Sequence, residues 1–278
     1  MLTLLVDDLV RTALHEDLGR AGDLTTEAIV PAGRRGEAKL VAREPGVISG
    51  TLVVERVFAL LDARVDVRLA VEDGAQVDRG TLVATIAGPL RAILTGERTA
   101  LNFISHLSGI ATATARLVEL VAGTRATIVD TRKTTPGLRA LEKAAVRDGG
   151  GANHRFGLDD AILIKDNHVA IAGGIAAAIE AARARAGHLV KIEVEVDTPA
   201  QLDEALAARA DIVLLDNFSP EQLRIAVART AGRALLEASG RIDATTVRAV
   251  AESGVDLISS GALTHSAHIL DLGLDIGE

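Results

Sequence analysis

The sequence predicts an α/β protein in two parts: a strand-rich unit with helices, then a parallel sheet covered by helices that forms an incomplete α/β barrel. Three observations carry this. Between Ala38 and Pro89, short apolar stretches are cut by Gly46, Gly50, Gly74, Gly80 and Gly88, and residues 65–69 alternate as strands do. From Glu97 to Val121 the texture changes to helical periodicity, with Leu101, Ile104, Leu107 and Ala111 on one face. Beyond it, strand-like and helix-like segments alternate, the signature of parallel strands joined by crossover helices, either doubly wound or a barrel.

Six strands are expected in this second part, at residues 126–130, 161–164, 190–196, 211–215, 234–237 and 255–259, with helices at 175–184 and 199–208. A complete eight-fold barrel takes ~250 residues. Of the 278 residues here, only those after about Gly109 are available to it, so the barrel must be incomplete. The expected domains are 1–108 and 109–278. Hydrophobic residues form 48% of the chain, enough for two cores.

Composition removes several function classes. Lys and Arg number 30 against 38 Asp and Glu, and the net charge of -8 disfavours nucleic acid and anionic membrane surfaces as partners. With no cysteine there are no disulfides, thiolate nucleophiles or usual structural zinc sites, so catalysis rests on oxygen and nitrogen groups. Aromatic residues are 1% of the chain, which leaves recognition to polar and charged groups. Asp7 and Asp8 stand where a signal peptide needs a basic start, and no stretch reaches the ~18 apolar residues of a membrane span. A soluble, cytoplasmic protein is expected. Residues 71–83 resemble the strand-turn repeat of biotinyl and lipoyl carrier domains, but they contain no lysine to hold a prosthetic group.

Polar residues gather where the strands end, the edge at which α/β folds keep their active sites. The first strand runs into Asp130-Thr131-Arg132-Lys133 and the second into Lys165-Asp166-Asn167-His168. The fourth runs into Asp216-Asn217, the fifth into Glu237-Ala238-Ser239-Gly240, and the sixth into Ser259-Ser260-Gly261. The third alternates, with Lys191, Glu193, Glu195 and Asp197 on one face and Ile192, Val194 and Val196 on the other. In a covered sheet the apolar face meets helices and the charged face points inward; an edge strand with one face in water is the alternative.

Two further segments add cations. Gly149-Gly150-Gly151-Ala152-Asn153-His154-Arg155 is a glycine-rich loop ending in two anion donors, and Gly149 also suits the left-handed C-cap of a helix over 138–147. Arg98 opens the long helix, where a lone Arg is ordinarily a solvated surface residue. Several cations beside carboxylates suit a polyanion bound through a divalent ion, because the acids hold magnesium or sugar hydroxyls while the cations neutralise phosphates.

The series Asp130-Thr131-Arg132-Lys133-Thr134-Thr135-Pro136-Gly137-Leu138-Arg139, His154-Arg155-Phe156-Gly157-Leu158 and Ile164-Lys165-Asp166-Asn167-His168 resembles the quinolinate phosphoribosyltransferase family. The likeness continues through Glu193-Val194-Glu195-Val196-Asp197, Leu215-Asp216-Asn217, Glu237-Ala238-Ser239-Gly240 and residues 261–266, and reaches back to residues 16–19 and 22–25. It implies an N-terminal α/β sandwich, a C-terminal open barrel, and a tail, 266–278, returning to the N-terminal domain. It also implies a homodimer with a shared active site. The implied substrates are quinolinate and phosphoribosyl pyrophosphate, the cofactor Mg2+, and the products nicotinate mononucleotide, carbon dioxide and pyrophosphate.

By the same resemblance, Arg132, His154, Arg155 and Lys165 bind the two quinolinate carboxylates, and Arg98 arrives from the neighbouring subunit. Thr131 and Lys133 belong with the substrates, Lys133 touching phosphoribosyl pyrophosphate. Glu195 and Asp216 hold its ribose hydroxyls and magnesium, the latter largely through substrate and water. Ser239-Gly240 and Ser260-Gly261 cradle the 5-phosphate. Lys133, Lys165, Glu195 and Asp216 form the implied catalytic set. Arg241 and Ser260 depart from the family pattern, and both touch the phosphate cradle. Two rivals stay open: a related transferase with another acceptor, such as nicotinate, and a non-catalytic sensor of a phosphorylated pyridine nucleotide. Lys165 argues against the first and the pairing of Glu195 with Asp216 against the second.

Overall fold

The structure, a computed structural model, describes residues 2–276. They cluster into two compact units, one built from residues up to 115, 135–150 and from 267 on, the other from 116–134 and 151–266.

The first unit opens with helices α1 (Leu2–Leu18) and α2 (Leu24–Ile29), then strands β1 (Arg35–Ala42) and β2 (Gly46–Val47). Helix α3 (Thr51–Leu61), strands β3 (Asp66–Leu69), β4 (Gln76–Val77) and β5 (Leu82–Pro89), and the long helix α4 (Leu90–Leu120) follow. Every other residue of β1 from Ala38 on is buried (Ala38, Leu40, Ala42), so one face of its sheet is core. Arg56 of α3 meets Asp7 of α1 through two hydrogen bonds of 2.6 and 2.9 Å, and this pairing holds the Asp7 carboxyl below its ordinary range.

Helix α4 begins at Leu90, well before the start expected from Gly96-Glu97-Arg98. Pro89 ends β5 and the helix follows at once, while Gly96 sits inside it because a Cβ there would lie 2.8 Å from both Phe58 and Leu61. Close packing, not a helix boundary, explains this glycine, and Arg98 is therefore an interior residue of α4.

The chain next forms β6 (Thr127–Val129), α5 (Arg139–Asp148), β7 (Ile162–Ile164), α6 (Asp166–Ala172), α7 (Ile175–Arg185) and β8 (Ile192–Val196). After these come α8 (Pro199–Ala207), β9 (Ile212–Asp216), α9 (Pro220–Thr230), β10 (Leu235–Ser239), α10 (Val247–Ala251), β11 (Leu257–Ser259), α11 (Ala262–His265) and β12 (Leu272–Ile276). In the first unit β12, β1, β5 and β3 form an antiparallel sheet in that order, and β2 pairs with β4. With its helices it is the α/β layer structure expected for the N-terminal part.

In the second unit six parallel strands lie in the order β6-β11-β10-β9-β8-β7. This is the cyclic order of a barrel broken once, between β6 and β7, so the sheet is an open barrel. All six expected strands are present, shortened or shifted at their ends by one or two residues. Helices α8 and α9 start sharply because Thr198 and Ser219 form capping boxes with Gln201 and Gln222, with Pro199 and Pro220 at the first helical turn. Those stops fix where β8 and β9 deliver their C-terminal residues.

Two local expectations are corrected. Gly149 has φ -78°, and the left-handed residue after α5 is Gly150 at φ 84°. Gly149 is required for room instead, since a Cβ would stand 2.3 Å from the Ala111 carbonyl oxygen. On the third strand, Lys191 lies outside β8, exposed and paired with Asp211 at 3.4 Å, and Asp197 is also exposed. The charged inward face therefore consists of Glu193 and Glu195. Because β8 is flanked by β7 and β9 and Glu193 is only 4% exposed, the water-facing edge strand is ruled out.

The Gly149 contact generates a stability test. Gly149→Ala should lower the unfolding free energy by roughly 1–3 kcal/mol, because a backbone carbonyl cannot retreat as a side chain can. Gly187→Ala, where a Cβ meets nothing within 4 Å, should change it by less than about 0.5 kcal/mol. Urea denaturation of the two variants checks both values.

Candidate active site

The site is built at the C-terminal ends of the second unit's strands. Asp130, directly after β6, is fully buried and accepts from the Asn153 amide at 2.6 Å and from the His154 backbone N–H at 2.9 Å. Ala152 forms a parallel bridge with Val129, so the segment carrying Asn153, His154 and Arg155 lies along the free edge of β6. The break in the barrel thus brings in two side chains, His154 and Arg155, that no strand carries.

The His154 ring has a defined tautomer. The Arg155 backbone N–H donates to Nδ1 at 2.7 Å, which leaves the ring proton on Nε2, donated to Glu193 at 2.9 Å. Arg155 donates one guanidinium N–H to the Ala161 carbonyl oxygen at 3.2 Å. Its Nε is buried without a protein acceptor, and so is the Nε of Arg132. Burial first and the nearby Arg132 charge second press the Arg155 guanidinium below its usual range, while Glu193 and Asp160 oppose them. A buried N–H on a charged group without an acceptor costs about 1–3 kcal/mol or more. Two such groups, close enough for the Arg132 charge to act on Arg155, are able to take an anion.

Lys165 follows β7, and its ammonium forms a short ion pair with Glu195 Oε2. The Lys165 backbone N–H donates to His168 Nδ1 at 2.9 Å, closing the first turn of α6. Asp216 ends β9, with Oδ2 accepting from Asn217 at 2.7 Å. Glu195 and Asp216 offer carboxylate oxygens, the donor type magnesium prefers, and they fit a hard divalent cation.

Around the expected phosphate cradle, the Asn217 backbone N–H donates to the Ser239 carbonyl at 3.0 Å. A Cβ on Gly240 would meet Asn217 Oδ1 at 2.3 Å, so β9 and β10 touch backbone to side chain there. Lys133 packs across Gly261, its Cδ 2.8 Å from where a Cβ would stand. The Thr131 hydroxyl accepts from the Lys133 N–H at 3.0 Å, and Thr264 donates to the Lys133 carbonyl at 2.7 Å. Ser260 spends both its donors inside the protein, N–H on Val129 and hydroxyl on Ile242, at 3.1 Å each. Its side chain therefore braces the cradle.

Arg98 lies in the first unit, lining a cleft with Glu16, Asp17, Asn102 and Phe103. The second unit brings together the other expected residues on β6–β11 and the segment leading from Ala152.

Residues 110–275 match the family model described as quinolinate phosphoribosyl transferase, C-terminal domain, and residues 23–108 match its N-terminal domain. The chain belongs to the quinolinate phosphoribosyl transferase family. It is 51% identical to the nicotinate-nucleotide pyrophosphorylase [carboxylating] of Mycobacterium leprae, over 97% of this chain and 96% of that one. It is 37% identical to quinolinate phosphoribosyltransferase [decarboxylating] 1b of Nicotiana tabacum, over 96% and 81%. Among solved structures, the nicotinate-nucleotide pyrophosphorylase of Francisella tularensis superposes with a TM-score of 0.94 at 42% identity, covering 99% of this chain and 97% of the other. The chain is an enzyme of phosphoribosyl transfer, as the family's name states.

Within this quinolinate phosphoribosyl transferase fold, four residues of the site were not singled out from the sequence: Asp130, Asn153, Glu193 and Glu237. Glu193 shared the charged face with Glu195, and Asp130 and Glu237 stood in the strand-end clusters, so the signal was present. What the sequence lacked was the seam between β6 and β7. His154, Glu193 and Glu237 place ligand atoms within 4.8 Å of one another. A nitrogen-and-carboxylate set of that kind suits a transition metal better than magnesium. The ring nitrogen facing the carboxylates is, however, already a proton donor.

Asp130→Ala should strip the acceptor from the Asn153 amide and the His154 N–H together. The expected loss is roughly 2–3 kcal/mol of unfolding free energy, measured in urea. A loss under about 0.5 kcal/mol would show that Asp130 does not hold this segment.

Proposed function

We propose that the acceptor is quinolinate, and that the enzyme transfers to it the phosphoribosyl group of phosphoribosyl pyrophosphate with loss of carbon dioxide. The observation that carries this reading is the pair of buried guanidinium Nε atoms on Arg132 and Arg155, without protein acceptors, at a barrel mouth that also carries Lys133 and Lys165. Lys165 adds an ammonium with three donors, of which Glu195 takes one. Three cations around one small anion suit adjacent carboxylates better than a single carboxylate, because each charge-assisted hydrogen bond contributes about 1.5–3 kcal/mol. His154 orients the site through Glu193 on this reading.

The quinolinate nitrogen attacks the anomeric carbon as the bond to pyrophosphate breaks. Positive charge develops on the ribose, and the Glu195 and Asp216 carboxylates stabilise it. Lys133, lying across Gly261, serves the phosphate side. Magnesium, held by Glu195 and Asp216 largely through substrate and water, would neutralise the departing pyrophosphate. The ribosylated ring nitrogen then accepts the electron pair left at carbon 2 when carbon dioxide leaves, and a proton replaces it there. The products are nicotinate mononucleotide, carbon dioxide and pyrophosphate. The enzyme works in the cytoplasm as a homodimer, with Arg98 completing the partner's site.

Incubation with quinolinate, phosphoribosyl pyrophosphate and magnesium should yield nicotinate mononucleotide, detected by ultraviolet absorbance after chromatography. The reaction should stop when magnesium is chelated, and nicotinate should react at least about 100-fold more slowly. Comparable turnover of nicotinate would sink the acceptor assignment.

Arg98→Ala and Lys165→Ala should each be nearly inactive alone. Mixed in equal amounts and reassociated, they should regain roughly a quarter of all sites, because a mixed two-fold pair places both defects in one site and leaves the other intact. A mixture no more active than the mean of its parts, with subunit exchange confirmed by mass, would place Arg98 outside the partner's site.

A further inference from the structure

Glu237 has no part in the roles above, yet it is among the least accessible acids of the second unit. It is 1% exposed, on β10, and faces Glu193 of β8, which is 4% exposed. The His154 ring reaches both, its Nε2 lying 2.9 Å from Glu193 Oε2 and 3.7 Å from Glu237 Oε2. Each carboxyl also has one oxygen, Oε1, buried without a protein partner, and the Ser259 hydroxyl on β11 is buried and unpartnered as well.

The charges in this pocket do not balance if both acids are ionised. The one ring that reaches both acids is His154, and with its Nδ1 accepting from the Arg155 N–H it offers them a single N–H, at Nε2. Asp130, at the end of β6, adds a third acid nearby. Arg155 faces Glu193 and is itself faced by Arg132, so the cationic side of the cluster compensates Glu193. Among the described residues no lysine or arginine forms an ion pair with Glu237, and the ring of His154 is its neighbour at 3.7 Å. Burial, then Glu193, push its carboxyl up to about 7, with Asp130 adding to the rise while His154 and Ser259 oppose it.

We propose that Glu237 is a positioning residue that stays protonated while the enzyme binds its acceptor, so that Glu193 alone carries the negative charge beneath His154 and Arg155. A protonated Glu237 is a donor as well as an acceptor, and it shares with Glu193 a cluster whose carboxylate and ring atoms lie within 4.8 Å of one another. Ionised Glu237 places a second buried anion against Glu193, the acid that faces Arg155. The sign follows: acceptor binding is intact below the carboxyl's pKa and weakens as pH rises through it. This inference rests on quinolinate being the acceptor.

The test is the Glu237→Gln variant, which keeps the shape and the donor of a protonated carboxyl and cannot ionise. In the wild type, KM for quinolinate should rise at least about five-fold between about pH 6 and about pH 8.5. In the variant it should stay within about two-fold over that range and match the wild-type value at the acid end. KM for phosphoribosyl pyrophosphate should follow the same course in both proteins.

A purely structural role for Glu237 would alter stability without flattening the quinolinate profile. A variant profile parallel to the wild type's, or quinolinate binding lost at every pH, overturns the proposal. So does a stoichiometric transition metal in purified wild-type enzyme that the variant lacks. Infrared difference spectra of wild-type enzyme carrying carbon-13-labelled glutamate read the proton without any turnover. A protonated-carboxyl band present at about pH 6 and gone by about pH 8.5 is expected, and its absence at about pH 6 overturns the proposal even if the variant does not fold. If wild-type enzyme forms no nicotinate mononucleotide, the acceptor reading fails by itself, and the infrared band still decides the state of Glu237.

Discussion

The capture of one loop by one buried carboxylate is the interaction on which the site depends. A barrel that closed fully would pair β6 with β7 and leave no place for residues 151–155. Because the sheet stops there, the free edge of β6 takes a single bridge, Val129 to Ala152, and Asp130 then accepts from both Asn153 and His154. Arg155 follows with its backbone N–H fixed on the His154 ring. An open sheet edge would ordinarily be a liability, with unpaired backbone groups inviting foreign strands. Here the edge is covered by the segment that carries His154 and Arg155.

That arrangement has an electrostatic consequence. The strands contribute acids to the barrel interior, Glu193 and Glu195 from β8, Asp216 from β9 and Glu237 from β10, whereas cations enter mainly at the strand exits, as Arg132, Lys133 and Lys165, and on the captured loop, as Arg155. Cations therefore stand at the mouth with acids behind them. Ion pairs such as Lys165 with Glu195 keep either sign from standing alone. Buried atoms without a protein partner remain on both sides, the Nε of Arg132 and Arg155 and one oxygen each of Glu193 and Glu237.

Much of this was legible in the residues themselves. The six parallel strands showed in their apolar cores, and the polar clusters after each strand marked the face that carries the chemistry, because side-chain alternation in a covered sheet leaves charged residues only one place to go. The start of α4 was misread because Gly96 looks like a boundary when its reason is a Phe58 ring and a Leu61 side chain pressed against the helix. Gly149 was given a torsional reason when its reason is the Ala111 carbonyl. Both errors have the same cause, since a glycine conserves space as often as it supplies a torsion, and only neighbours distant in sequence tell which. Glu193 and Glu237 were missed as site residues for a related reason: β9 lies between their strands, and nothing local in the chain announces that they share one histidine.

The central claim is that this barrel mouth recognises two adjacent carboxylates on one ring. Calorimetric titration of the enzyme with quinolinate, nicotinate and pyridine-2-carboxylate, at one pH and ionic strength, tests it directly. If the guanidinium groups of Arg132 and Arg155 and the ammonium of Lys165 divide two carboxylates between them, quinolinate should bind at least about 100-fold more tightly than either monocarboxylate. Affinities for the three ligands within about three-fold of one another would contradict it, because a site indifferent to the second carboxylate has no use for a second buried cation.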